Sequence, residues 1–270
     1  MTMKKFFKAC FCVVAIFALF TGCGGKTSSP SSDNSLQKVL DAKQFVLGLD
    51  IGFPPMGFVD QTGEIKGFDI DVAQAVCDRL GVKLIKRGID WDTKEDKLND
   101  GTIDCIWNGL SVTPARAETM NFSEPYMKNE LIFVVSVSSD AKGIQDLAGK
   151  TVGVQSGATA QDALKASEIA SKISIVTFED NLTLLNQLEQ GTIDAALVDS
   201  VVAYYYIFSS QEQFFILSNS LGEEKYAIGF RKGDKKLRDE VQTLLNEMKA
   251  DGTLGNISKK WFGSDITIVK

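Results

Sequence analysis

Apolar positions along the chain fall into two alternating rhythms. Short runs such as Phe45-Val46-Leu47, Cys105-Ile106-Trp107, Ile132-Phe133-Val134-Val135, Thr151-Val152-Gly153-Val154 and Ala195-Ala196-Leu197-Val198 have the length and flanks of buried strands. Between them apolar residues recur at helical spacing. Val72, Ala73, Val76, Cys77 and Leu80 share one face of a helix that Gly81 closes, and Leu237, Val241, Leu244, Leu245 and Met248 do the same before Asp251-Gly252. Strands alternating with helices predict an α/β fold built on mainly parallel sheets.

The pattern also repeats. Leu98-Asn99-Asp100-Gly101-Thr102-Ile103-Asp104 returns as Leu188-Glu189-Gln190-Gly191-Thr192-Ile193-Asp194, each copy ending a helix and entering an apolar strand. Upstream of each copy a strand runs into a loop: Phe45 to Asp50 into Ile51-Gly52-Phe53-Pro54-Pro55, and Thr151 to Gln155 into Ser156-Gly157-Ala158-Thr159. The body is therefore expected to contain two similar α/β units. In such sheets ligands bind outside the carboxyl ends of the strands.

The first residues follow a different rule. Lys4, Lys5 and Lys8 precede an unbroken apolar run from Ala9 to Phe20, which is too short to span a bilayer and reads as a signal peptide over residues 1–22. Phe20-Thr21-Gly22-Cys23 resembles the bacterial lipobox, with Phe where Leu is usual, so Cys23 is the expected lipidation site; ordinary cleavage near it is the alternative. Gly24 to Ser35 contains no apolar residue, and residues 23–38 read as a lipidated N-terminus and flexible tether. An extracytoplasmic protein held at the cell membrane by lipid follows, with a Gram-positive surface favoured over a periplasm.

Composition narrows the chemistry. Without the three lysines of the leader, 26 basic residues face 35 acidic ones, a net charge of −9, which argues against a nucleic-acid partner. There is no histidine, so Ser-His-Asp and Cys-His nucleophiles and histidine metal sites are excluded, and nothing in the chain calls for a cofactor. Beyond the leader and Cys23 only Cys77 and Cys105 remain. They are either two buried apolar residues or a disulfide that export would permit.

The candidate chemistry lies in the loops. Thr113 can cap a helix beginning at Pro114, placing free backbone N–H groups and the Arg116 guanidinium beside one another, a match for a carboxylate or simply a capped helix with a surface arginine. Ser156-Gly157-Ala158-Thr159 repeats a helix start in the second unit. Asp199 ends a strand before the helical run Val201 to Phe208, as an N-cap or as the partner of an ammonium.

These residues together resemble the extracellular solute-binding proteins of ABC importers for polar amino acids. The pieces that carry the likeness are Gly48-Leu49-Asp50 with Phe53-Pro54-Pro55 and Phe58; Gly67-Phe68-Asp69-Ile70-Asp71-Val72-Ala73; Gly101 to Asp104 with Ser111-Val112-Thr113-Pro114-Ala115-Arg116; Gly153 with Gly157-Ala158-Thr159; Asp194 to Asp199; and Lys260-Trp261-Phe262-Gly263. The resemblance implies a two-lobed periplasmic-binding-protein-like fold, each lobe a mainly parallel sheet flanked by helices. Two crossing strands, near Ile132 to Val135 and near Glu224 to Ile228, would join lobe 1 (39–132 and 226–270) to lobe 2 (133–225). It implies a free amino acid as ligand and permease subunits as partners. Arg116 with the backbone and hydroxyls around Ser111 and Thr159 would hold the carboxylate. Asp199 and the Asn108 carbonyl would hold the ammonium. Phe53 would pack on the ligand side chain, Asp50 would approach its polar end, and Gly109 and Ala158 would contribute backbone amides in place of the hydroxyl residues of relatives. Phe58 and Trp91 are further candidate walls, and Ser156 sits in the second helix-start loop. Trp107 points into or out of the site depending on register. The alternative is a secreted dehydratase on the same fold, which would need a catalytic acid such as Asp50 or Glu124. A signalling ectodomain would need a further domain.

Overall fold

The computed structural model describes residues 33–209 and 213–270; the leader, Cys23 and most of the expected tether lie outside the described residues. The first part of the chain forms α1 (Ser35–Ala42), β1 (Gln44–Leu49), β2 (Gly52–Phe53), β3 (Gly57–Val59), β4 (Ile65–Lys66), α2 (Phe68–Leu80), β5 (Lys83–Gly88), α3 (Lys94–Asn99), β6 (Cys105–Ile106), α4 (Pro114–Thr119) and β7 (Met120–Phe122). The middle forms β8 (Met127–Ser136), β9 (Thr151–Gln155), α5 (Thr159–Ala166), β10 (Ser174–Phe178), α6 (Asn181–Glu189), β11 (Ala195–Asp199), α7 (Ser200–Ser209) and β12 (Phe214–Tyr226). β13 (Gly229–Arg231), α8 (Lys235–Ala250) and α9 (Thr253–Phe262) follow.

Two five-stranded sheets result, ordered β5-β1-β6-β13-β7 and β10-β9-β11-β8-β12. In each the first three strands are parallel and the next is antiparallel to its neighbour. The sequence repeat is thus a structural one, and its residues show why. Asp104 closes the start of β1, its carboxylate accepting from Val46 N (2.8 Å) and its N–H donating to Val46 O (2.8 Å). Asp194 makes the same pair with Thr151 at the start of β9 (2.8 and 2.9 Å). Gly48 and Gly153 lie in those strands because a Cβ there would stand 2.4 Å from Ile103 Cδ1 and 2.6 Å from Ile193 Cδ1, the isoleucines of the two repeats.

The helices pack on both faces of the sheets. α2 and α8 bury the faces the periodicity marked, including Val72, Ala73, Val76 and Cys77, and Leu237, Val241, Leu244, Leu245 and Met248. Cys77 and Cys105 are free buried thiols, the first of the two readings left open. Trp107 is buried in the core.

Two boundaries differ from the sequence expectation. α1 begins at Ser35, so residues 35–38 belong to the folded body rather than the tether: Val39 and Leu36 join the core, and the Ser35 hydroxyl accepts from Leu237 N (3.1 Å). The chain leaves the first sheet before Met127, upstream of residue 132, because β8 pairs with β12 along its whole length, from Met127 opposite Tyr226 to Ser136 opposite Phe214.

Candidate functional site

Four strand ends, those of β1, β6, β9 and β11, deliver their loops to the seam between the two sheets. On the first side, Thr113 caps α4, its hydroxyl accepting from Arg116 N (3.2 Å), with Pro114 at the first helical position. The cap consumes one of the N–H groups expected to face a ligand, and α4 has a single turn and a half of helix to sum into a dipole, so the positive charge offered is the Arg116 side chain itself. Nη1 donates to Ser111 O (2.9 Å), which fixes the guanidinium, and Nη2 donates across the seam to Gly157 O (3.2 Å). Burial pulls its pKa down, opposed by Glu95, Glu224, Asp162 and Asp199, and an arginine remains charged throughout.

On the second side, Asp199 is buried at the end of β11. It does not cap α7. The Asn129 side chain does that, its Oδ1 accepting from Ser200 N (3.1 Å), while Asn129 Nδ2 and the Tyr226 hydroxyl (2.6 Å) both donate to Asp199 Oδ1. Burial, and then the charge of Glu224, raise the Asp199 carboxyl to about 7 against those hydrogen bonds.

Arg116 and Asp199 line one small cavity, with Phe53, Trp91, Gly109 and Ser111 from the first side and Gln155, Ala158 and Thr159 from the second. The loop carrying Gly109 is held from behind by Asp69, which accepts from Gly109 N (2.8 Å) and from the Tyr126 hydroxyl (2.9 Å); burial raises Asp69 to about 7. Ala158 offers α5 no side-chain cap; its carbonyl accepts from Gln161 N (3.1 Å), which leaves the N–H groups of Thr159 and Ala160 for an anion in the cavity.

Hydrogen bonds across the seam shut the cavity. Gln155 Nε2 donates to Asp50 Oδ2 (2.7 Å), the Ser156 hydroxyl to Asp92 Oδ2 (2.9 Å), and Lys94 Nζ to Gly157 O (3.0 Å). Lys94 is 3% exposed, with its ammonium 5.1 Å from the centre of the Trp91 ring. Asp50 is also buried and is raised to about 6, chiefly by burial.

Eight of the residues singled out from sequence meet at the cavity: Phe53, Trp91, Gly109, Ser111, Arg116, Ala158, Thr159 and Asp199. Asp50 and Asn108 stand one layer behind, Asn108 Oδ1 accepting from Asp50 N (3.0 Å), and Ser156 lies on the rim. Phe58 is elsewhere: its ring meets Tyr205 at 5.7 Å and Trp261 at 6.1 Å, because β3 turns it away from the loop that carries Phe53. Gln155, Asn129, Tyr226 and Glu224 were missed. The repeat could have found Gln155, which follows Gly153 as Asp50 follows Gly48; the others sit on the crossing strands, where alternation marks only burial.

The chain belongs to the bacterial extracellular solute-binding proteins, family 3, which it matches over residues 45–264. It is 28% identical to the L-cystine-binding protein TcyJ of Escherichia coli K12 over 257 residues, 94% of this chain and 96% of that one. It is 32% identical to the L-cystine-binding protein TcyA of Bacillus subtilis over 273 residues, 98% of this chain and 100% of that one. A crystal structure of an ABC uptake transporter substrate-binding protein from Streptococcus pneumoniae with bound histidine superposes with a TM-score of 0.84 at 36% identity, covering 88% of this chain and 99% of that one. The two-lobed α/β fold is therefore that of amino-acid-binding proteins.

Proposed function

We propose that this protein is the substrate-binding subunit of an ABC importer, capturing a free polar or cystine-like amino acid between its lobes and delivering it to the permease. The observation that carries this is the opposition of Arg116 and Asp199 across one small cavity at the seam. A guanidinium and a buried carboxylate from opposite lobes match the two charges of a zwitterion, and neither lobe offers both. Phe53 and Trp91 supply apolar walls, and Asp50 with Gln155 supplies polarity behind them. Family membership supports an extracytoplasmic location. Lipid at Cys23 is the proposed anchor, two acyl chains giving stable attachment at about 0.8 kcal/mol per buried CH₂.

A dehydratase would need a catalytic acid. Glu124 is exposed and is not among the residues lining the cavity, and the Asp50 carboxylate accepts from Gly52 N and Gln155 Nε2. Relatives that are binding proteins likewise favour capture over catalysis. Calorimetric titration with the twenty amino acids and L-cystine tests the proposal. One or a few should bind at micromolar affinity or tighter, and failure of every compound would overturn it.

A further inference from the structure

The acceptor wall of the cavity is completed by a residue that does not line it. Glu224 lies near the end of β12 and faces Asn129 directly in the β8–β12 ladder. One of its oxygens, Oε2, accepts from the Ser111 hydroxyl (2.7 Å) and from Asn129 Nδ2 (3.1 Å). Ser111 stands opposite Tyr226 on the same strand, held there by its neighbours: Val112 N donates to Lys225 O (3.0 Å) and Ala227 N to Leu110 O (2.9 Å).

A serine hydroxyl has one hydrogen and two lone pairs. With its hydrogen committed to Glu224, Ser111 can offer the cavity lone pairs only. Asn129 is used up in the same way: Nδ2 serves both Glu224 and Asp199, and Oδ1 accepts from the backbone and hydroxyl of Ser200. Glu224 therefore decides, through two neighbours, that the side-chain surface Ser111 and Asn129 present next to Asp199 has no free donor to offer. An ammonium, which only donates, fits that surface; the carboxylate end of a zwitterion does not.

We propose that Glu224 is a positioning residue for amine recognition, acting through the Ser111 hydroxyl and the Asn129 amide and linking the crossing strand to the ligand pocket. This inference rests on the amino-acid reading above. It also moves the Ser111 hydroxyl from the carboxylate end, where family resemblance put it, to the ammonium end.

Three substitutions separate position from charge. Glu224→Gln can place its amide oxygen where Oε2 stands and keep both bonds without the charge. Glu224→Asp keeps the charge on a stem one methylene too short to reach Ser111, and Glu224→Ala removes both. Each is titrated with L-cystine and the twenty amino acids alongside the wild type, with circular dichroism to verify folding. For the compound the wild type binds best, Glu224→Gln should bind within about threefold of wild type, and Glu224→Asp and Glu224→Ala at least about tenfold more weakly. In a double-mutant cycle, Ser111→Ala should cost little further in the Glu224→Ala background, because the two losses are one interaction. Should Glu224→Ala fail to fold, Glu224→Asp takes its place in the cycle. Tight binding by Glu224→Asp with weak binding by Glu224→Gln, or additive losses in the cycle, would overturn the inference and leave the amino-acid reading standing. A wild-type protein that binds none of the compounds overturns both.

Discussion

Asp50 and Gln155 occupy equivalent positions in the two halves of the chain, each two residues beyond the strand glycine of its repeat, and they hydrogen-bond to each other across the seam at 2.7 Å. The Gln155 amide is further fixed by Asn181 Nδ2, which donates to its Oε1 (2.7 Å), and by donating to Glu179 O (3.1 Å). The bond is made only when the lobes meet. Gln155→Leu should therefore weaken ligand binding by about 1.5–3 kcal/mol, the worth of a hydrogen bond to a charged group. Titration calorimetry reads this loss, and the melting temperature of the unliganded protein should change less than that of the saturated one.

The zwitterion clamp predicts two losses of similar size. Arg116→Ala and Asp199→Ala should each cost about 2–5 kcal/mol of affinity, since each leaves a buried charge of the ligand without its partner. Both variants should fold, as judged by circular dichroism. Binding at wild-type strength by either variant would remove that residue from the site.

Closure depends on a close approach at Gly157. Its φ is +68°, and a Cβ there would lie 2.9 Å from Asp92 Cα on the opposite lobe, a backbone atom that can move only if the lobes separate. Saturating ligand should reduce the radius of gyration of the wild type in solution scattering and raise its melting temperature. Gly157→Ala should show neither change at the same ligand concentration and should bind at least about tenfold more weakly, because a ligand shifts the equilibrium only by its preference for the closed state.

The buried acids give binding and stability opposite pH dependences. Asp199 titrates near 7, and an ammonium favours its charged form, so affinity should rise with pH up to about 7 and then level off, with proton release on binding below that point. Calorimetry in buffers of different ionisation enthalpy measures the release, and Asp199→Asn should abolish it. Without ligand the sign reverses. Asp50, Asp69 and Asp199 are all raised above their ordinary 3.8, so the unfolded chain loses these protons first and unliganded stability should fall as pH rises from about 4 to about 7.

Anchoring is tested apart from binding. Cys23→Ala should move the protein from the membrane fraction to the medium or periplasm, read by fractionation and immunoblot. A variant that stays with the membrane would exclude lipid at Cys23 as the anchor.

Local chemistry was legible in the sequence. The periods of α2 and α8, the cap and proline of α4, and the strand ends at Asp50 and Asp199 follow from hydrophobic spacing and from which residues can satisfy a helix's first N–H groups. So was the duplication, because Gly48 with Ile103 and Gly153 with Ile193 solve the same packing problem twice.

Whatever depends on two distant segments meeting was decided by the tertiary structure alone. Asn129 capping α7 in place of Asp199 and Glu224 holding the hydrogen of Ser111 turn on how strands cross between the sheets, and Phe58 facing Tyr205 rather than the ligand loop turns on how β3 packs against α7. A sequence states which groups can donate and which can accept. Which donor finds which acceptor is fixed only when the lobes bring residues some hundred positions apart, such as Ser111 and Glu224, within 2.7 Å.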